Sequence, residues 1–156
     1  MSAPNSNRMA LFIDGANLYT TAKVLGFGID YDRLLKEFQS RGTVVRAFFY
    51  TTIIEDQDNV LIRPLLDCRK IKGNIDIELT VDAMELADHI DEMVLFSGDG
   101  DFRRLVEAMQ RRGVRVTVVS TTSTQPPTIS EELRRQSDLF TDLIELRPLI
   151  ARGLPT

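Results

Sequence analysis

The chain has 156 residues, of which 43% are hydrophobic and 27% charged, and its formal net charge is −4 at pH 7. This composition is typical of one globular domain, and the acidic balance argues against a nucleic-acid binder that relies on a broad basic face. No apolar run approaches the roughly 20 residues of a membrane span, and the polar residues 1–8 lack a signal core, so we expect a cytoplasmic protein with no membrane partner.

The first predicted strand, residues 9–13, is a short apolar run typical of a buried central strand, and it ends at Asp14. A helical pattern follows Gly15, with Asn17 near its start. The seam between a strand and the next helix is where open α/β sheets bind ligands. Asp14 therefore lies at a candidate site, whereas Asn17 can reach a ligand or simply cap the helix.

The middle of the chain is predicted to contain a helix at 30–39, a strand at 44–50 and a helix at 58–70. Another helix begins after Lys72, and Asp76 falls in its first turn, where the helix dipole favours a carboxylate. Asp82 follows six residues later, roughly 240° around the helix, so the two aspartates do not share a face.

The second half repeats the arrangement of a buried strand that ends in aspartates. The apolar run 93–96 predicts a strand, and Asp99 and Asp101 follow it directly, before a helix at 102–112 and a strand at 114–119. This βαβ unit requires parallel strands, so the loop from residue 120 opens at the same sheet edge. A short helix at 130–136, a last strand within 139–144 and a loose tail follow.

Four aspartates are thus predicted at or beside one edge of a parallel sheet. Crowded carboxylates repel one another unless a cation screens them, although each alone also has a capping or dipole explanation. Ligand sets made only of oxygen favour magnesium or manganese. Two such ions about 3.5–4 Å apart promote phosphodiester cleavage in many nucleases. The four residues are Asp14, Asp76, Asp99 and Asp101.

Three segments carry a resemblance to a known family: IDGAN at 13–17, KGNID at 72–76 and SGDGDF at 97–102. They resemble the signature motifs of the NYN domain family, and more narrowly of its bacterial LabA-like branch. The resemblance implies a PIN-like fold over residues 9–147, that is, a three-layer α/β sandwich with a mainly parallel central sheet. The segments outside it, 1–8 and 148–156, are expected to be a disordered tail and a loose tail.

The same resemblance implies a ribonuclease that depends on Mg²⁺ or Mn²⁺ and cleaves RNA. It places Asp14, Asp76, Asp99 and Asp101 at the metal centre, with Asn17 beside them as a further catalytic residue. On position alone, four residues are candidate contacts for the RNA phosphates: Lys72, Ser97, Ser120 and Thr121.

One departure from the family pattern is the short segment between the helical pattern at 61–66 and Lys72. Its length predicts that the sheet lacks one edge strand. The strand at 44–50 would then be exposed along its edge, which favours a homodimer paired there.

Two other functions fit parts of the pattern. A phosphatase of the haloacid dehalogenase type also carries aspartates at strand ends, but it needs a second aspartate where Ala16 stands. A non-catalytic module that binds a metal or a regulatory partner fits the shortened middle of the chain. A nucleophilic triad or a zinc cluster is implausible, because His89 is the only histidine and Cys68 the only cysteine.

Overall fold

The computed structural model of the protein describes residues 7–52 and 66–153, with Leu66 described by its backbone alone. The strands are β1 (Arg8–Asp14), β2 (Thr43–Thr52), β3 (Leu66–Ile71), β4 (Glu92–Phe96), β5 (Arg115–Ser120) and β6 (Leu139–Asp142). The helices are α1 (Gly15–Val24), α2 (Tyr31–Gln39), α3 (Ile75–Leu86), α4 (Arg103–Arg111), α5 (Glu131–Gln136) and α6 (Leu143–Ile150). Short 3-10 turns lie at Ala87–His89 and Gly100–Phe102. None of these described helices has the length and hydropathy needed to cross a membrane.

The strands form one sheet in the order β3-β2-β1-β4-β5-β6, and every described pair is parallel. From β1 the chain steps outward through β2 to β3, and then returns to β4 on the other side of β1. The sheet order therefore reverses between β1 and β4. The carboxyl ends of the two strands at such a switch point form the crevice where α/β proteins bind ligands.

Two apolar cores lie on opposite faces of the sheet. Alternate residues of β1 divide between them, with Phe12 in one core and Leu11 and Ile13 in the other. Buried residues of α3, α4 and α5 complete the first core, and those of α1, α2 and α6 complete the second. The predicted three-layer α/β sandwich is therefore confirmed.

The prediction that the sheet lacks an edge strand is wrong. The segment Leu66–Ile71 forms β3, which pairs with β2 from Ala47↔Leu66 to Thr52↔Ile71. The helix predicted at 58–70 is thus a strand from residue 66 onward, and its earlier part lies outside the described residues. Since β2 lies between β1 and β3, it is not a sheet edge, and the predicted basis for a homodimer through 44–50 is removed.

The carboxyl-terminal elements also differ in their bounds from the prediction. The strand predicted within 139–144 ends at Asp142, whose side chain caps α6 by accepting a hydrogen bond from the Ile144 amide at 3.1 Å. The helix α6 continues to Ile150, which is buried in the second core, and Ala151 forms a bridge with Ile29. Residues 148–151 therefore pack on the domain, where the sequence predicts a loose tail.

Candidate metal centre

Asp14 lies at the junction of β1 and α1, and its carboxylate fixes that junction. The Oδ1 atom accepts a hydrogen bond from the Asn17 amide at 3.4 Å, which caps α1. The Oδ2 atom accepts a hydrogen bond from the Ser97 hydroxyl at 3.2 Å, so the end of β1 is joined to the end of β4. The Asp14 side chain is consequently well buried, at 8% exposure.

The loop after β4 is ordered by a chain of short-range hydrogen bonds. The Ser97 hydroxyl accepts a bond from the Asp99 amide at 3.2 Å, and Asp99 Oδ1 accepts one from the Asp101 amide at 2.9 Å. Asp99 thereby caps the turn Gly100–Phe102. Asn17 Oδ1 accepts a bond from the Gly98 amide at 3.2 Å, which ties α1 to this loop.

Asp76 reaches the same place from the first turn of α3. The side chain of Asn74 caps α3 by accepting a hydrogen bond from the Asp76 amide at 2.8 Å. This cap fixes the first turn of α3 near the loop that follows β4. One carboxylate oxygen from each of Asp76, Asp99 and Asp101 lies within 4.8 Å of the others.

The four predicted aspartates act on one another at this site. The pKa of the Asp76 carboxyl is raised to about 6, mainly by burial and in addition by the negative charges of the other three aspartates. Asp14 does not belong to the cluster of oxygens within 4.8 Å, but its charge contributes to this shift. A concentration of negative charge of this kind is stabilised by a hard cation, and carboxylate oxygens are the ligands that Mg²⁺ and Mn²⁺ prefer. The donor set therefore fits a divalent cation.

The candidate phosphate contacts divide into one exposed and three buried residues. Lys72 is exposed just before α3. The hydroxyl residues Ser97, Ser120 and Thr121 are 1%, 2% and 0% exposed, and the Thr121 hydroxyl donates to Asp142 Oδ1 at 2.8 Å. Their burial argues against direct contact with a phosphate, and Ser97 instead supports Asp14 and Asp99.

Close packing at Gly98 contributes to the burial of Ser120. A Cβ atom at this position would lie 2.4 Å from the Thr128 carbonyl oxygen and 2.6 Å from Ser120 Oγ. The Ser130 amide also donates to the Gly98 carbonyl at 2.9 Å. Because Gly98 has no side chain, the loop between β5 and α5 packs directly on the loop that carries the aspartates.

Asp82 lies away from the carboxylate cluster, as its predicted angle on the helix indicates. It accepts hydrogen bonds from Tyr50 Oη at 2.7 Å and from Arg69 Nη2 at 3.3 Å. Sequence reasoning did not find this network, because residues 32 positions apart on different elements leave no local pattern. The Asn74 cap was also missed, although an asparagine two residues before a helical aspartate is a recognisable N-cap signal.

Comparison with known proteins agrees with the fold and the motifs. The NYN domain model matches residues 8–145. The chain is 32% identical, over an alignment of 169 residues, to the "Low amplitude and bright protein LabA" of Synechococcus elongatus, covering 94% of this chain and 89% of that protein. It is 29% identical over 121 residues to an uncharacterized protein of Methanocaldococcus jannaschii, covering 72% of this chain and 47% of that protein.

A solved structure shows the same architecture. The crystal structure of a protein of unknown function from Vibrio parahaemolyticus matches with a TM-score of 0.71 and 28% identity, covering 92% of this chain and 96% of that one. The family resemblance predicted from the three motifs is thus confirmed. The chain belongs to the NYN domain family, a family of PIN-like nucleases, and is a homologue of LabA.

Proposed function

We propose that the chain is a ribonuclease that cuts RNA internally and depends on Mg²⁺ or Mn²⁺ held by Asp76, Asp99 and Asp101. The observation that carries this proposal is the approach of their carboxylate oxygens to within 4.8 Å of one another. The cluster lies beside the switch point of the sheet, where ligands bind in this architecture. Membership of a family of PIN-like nucleases supports the same chemistry.

Asp14 is the fourth carboxylate of the proposed centre. Its hydrogen bonds to Asn17 and Ser97 hold it at the end of β1, and its charge acts on Asp76. A bound divalent cation supplies Lewis-acid activation of water and of the phosphodiester. The contribution of the chain is to hold Asp76, Asp99 and Asp101 close together, with Asp14 at the end of β1 as a further negative charge.

RNA binding in this proposal depends on two residues at the rim of the centre. Asn17 is half-buried, and its amide nitrogen can donate to a phosphate oxygen while Oδ1 accepts from Gly98. Lys72 is exposed at the start of the α3 segment and offers a cation to the backbone of the RNA. Without the four aspartates of the centre the chain is formally neutral, so its net charge of −4 is no barrier to RNA once a cation is bound.

The test uses labelled linear and circular single-stranded RNA with Mn²⁺, with Mg²⁺ and with EDTA. We expect cleavage of both substrates with either metal, none with EDTA, and none from the Asp76→Asn variant. Cutting of the circular RNA identifies an endonuclease. The matched control is Asp88→Asn, since Asp88 lies in the 3-10 turn after α3, has a side chain that is 77% exposed and forms a surface ion pair with Arg112.

The other outcomes identify the alternative functions. Mn²⁺ binding without cleavage of any RNA contradicts the nuclease and indicates a non-catalytic metal-binding or regulatory module. Hydrolysis of p-nitrophenyl phosphate that is lost in Asp14→Asn indicates a phosphatase. An RNA substrate agrees with the cytoplasmic location that we expect from the sequence.

A further inference from the structure

The helix α3 carries Asp76 to the proposed centre, and its residues Ile75, Met84 and Leu86 are partly buried against the first core. Leu79 and Ala83 are the fully buried residues of the described helix. Two of its large apolar residues, Ile77 and Val81, are 60% and 49% exposed on the outer surface. These apolar contacts hold the helix against the sheet, but because they are not directional they set its rotation less sharply than hydrogen bonds do.

Polar contacts at Asp82 supply a second attachment. Tyr50 is 0% exposed, and its hydroxyl donates to Asp82 Oδ2 at 2.7 Å. Arg69 Nη2 donates to Asp82 Oδ1 at 3.3 Å, and Arg69 Nε lies 3.3 Å from Asp82 Oδ2. These hydrogen bonds join α3 to β2 through Tyr50 and to β3 through Arg69.

The two donors lie side by side on neighbouring strands, in register with Asp14 of the proposed centre. Tyr50 pairs in register with Asp14 of β1 and with Arg69 of β3. Burial and the Asp82 carboxylate raise the pKa of the Tyr50 hydroxyl, so this group remains a hydrogen-bond donor. Asp82 is therefore tied to the same level of the sheet that holds Asp14.

We infer that Tyr50 and Arg69 are positioning residues, which act through Asp82 to hold α3 at the rotation that brings Asp76 to Asp99 and Asp101. This inference rests on the proposed function, because it names what holds that centre in register. Asp76 and Asp82 are separated by about 9 Å along the helix axis and roughly 240° around it. The Asp82 contacts thus fix the helix on one side while Asp76 projects on another.

Repulsion among the aspartates opposes the position of α3 that this attachment maintains. One carboxylate oxygen of Asp76 lies within 4.8 Å of an oxygen of Asp99 and of Asp101, so like-charge repulsion pushes the first turn of α3 away from the loop after β4. A carboxylate about 5–6 Å from a helix axis moves by about 1 Å for each 10° of rotation. A misplacement of this size, even when caused far from the chemistry, is enough to reduce catalysis by up to about 100-fold.

The test compares Tyr50→Phe, which keeps the buried ring and removes the hydroxyl, with Tyr19→Phe. The control removes the same atom from a tyrosine that is 55% exposed on α1. Mn²⁺ affinity is measured by titration calorimetry, and hydrogen exchange of the α3 amides is measured in EDTA. We expect about tenfold weaker Mn²⁺ binding for Tyr50→Phe, together with faster exchange in α3 but not in β1 or β4, and no change for Tyr19→Phe.

The two measurements separate failure of this inference from failure of the proposed function. Unchanged Mn²⁺ affinity in Tyr50→Phe overturns the positioning role. If the unmodified chain does not bind Mn²⁺, the proposed metal centre is wrong, and only the hydrogen-exchange rates then test whether Tyr50 attaches α3 to the sheet. Faster exchange confined to α3 in Tyr50→Phe supports this attachment, and unchanged exchange overturns it. If the amides of Tyr50→Phe exchange faster throughout the protein, the substitution has destabilised the whole fold, and Arg69→Gln is tested instead, because Arg69 is the more exposed of the two donors. Weaker Mn²⁺ binding with faster exchange confined to α3 is again expected, and unchanged affinity again overturns the inference.

Discussion

Ser97 and Asp14 are joined by a hydrogen bond at the point where the two central strands end, although 83 residues separate them in the chain. Ser97 Oγ donates to Asp14 Oδ2 and accepts from the Asp99 amide, both at 3.2 Å. One hydroxyl thus connects the aspartate at the end of β1 to the first aspartate after β4. The sequence indicates Ser97 as a phosphate contact, but the structure makes it a support for the carboxylates.

Replacing this hydroxyl should weaken both the fold and the proposed metal site. We expect Ser97→Ala to lower the free energy of unfolding by about 1–3 kcal/mol, because a buried carboxylate oxygen and a backbone amide each lose a partner. Urea denaturation in EDTA measures this loss, and Mn²⁺ titration should show weaker binding. The control is Ser123→Ala at an exposed position of the next loop, and equal effects of the two changes would contradict the role given to Ser97.

The Asp99→Asn variant should separate metal binding from folding. Asp99 Oδ1 caps the turn at Gly100–Phe102, and an asparagine oxygen performs that cap equally well. Removing one negative charge also relieves repulsion in the metal-free protein. We therefore expect loss of metal-dependent RNA cleavage with an unchanged or raised melting temperature in EDTA. A large fall in melting temperature would show that the charge of Asp99 stabilises the fold, and the proposed centre would then be misplaced.

The location of the site could be predicted from sequence because it depends on where strands end. The buried runs before Asp14 and Asp99 mark parallel strands, and their carboxyl ends meet at one sheet edge. The approach of Asp76 could not be derived in this way. It depends on how α3 crosses the sheet: the sequence places Asp76 only at or beside this edge, and the resemblance of the KGNID motif assigns it to the metal centre.

The edge strand β3 was missed because its own sequence does not resemble a strand. The alternation of apolar and polar residues is only four residues long, from Leu66 to Arg69, and the apolar spacing before it suggests a helix. Charged residues suit an edge strand, and the backbone of β2 supplies the hydrogen-bonding partners of β3. Arg69 also covers Phe48, with its guanidinium carbon 5.0 Å from the ring centroid. This strand is therefore specified by its neighbour rather than by its own pattern.

The raised pKa of Asp76 predicts a pH dependence of stability in the metal-free protein. The folded chain holds this proton up to about pH 6, well above the ordinary value of 3.8 for an aspartate. The folded state then binds more protons than the unfolded state in this window, so the stabilisation is full below about pH 4 and is lost as the pH rises through 6. Urea denaturation in EDTA at pH 4.5 and pH 7 should show this decline.

The variant Asp76→Asn isolates the contribution of this one group to the pH dependence. We expect the difference in unfolding free energy between pH 4.5 and pH 7 to be smaller in the variant than in the unmodified chain. Adding Mn²⁺ at pH 7 should recover stability in the unmodified chain alone. An identical pH dependence in the two proteins would show that Asp76 does not titrate in this range.

The packing around two glycines predicts that Gly98 does not tolerate a larger side chain and that Gly73 does. We expect Gly98→Ala to lower the free energy of unfolding by about 1–3 kcal/mol or more, because its Cβ would lie 2.4 Å from the backbone oxygen of Thr128. Gly73, by contrast, has no atom within 4 Å of the corresponding Cβ position. Gly73→Ala is therefore the control, and thermal denaturation compares them. Equal melting temperatures would mean that the loop between β5 and α5 does not lie against Gly98.

The last prediction compares two aspartates of the same helix. Asp76 offers an oxygen to the carboxylate cluster, whereas Asp82 is held by Tyr50 and Arg69. We expect Asp76→Asn to reduce Mn²⁺ affinity and RNA cleavage by about 100-fold, and Asp82→Asn by no more than about tenfold. The smaller loss has a physical reason: the one oxygen of an asparagine at position 82 still accepts the Tyr50 hydroxyl, whereas the charge and the oxygen that accepts from Arg69 are lost. Calorimetric titration and single-turnover cleavage measure both variants under one set of conditions. Equal losses would show that Asp82 is a ligand rather than an attachment point, and that α3 is rotated differently about its axis.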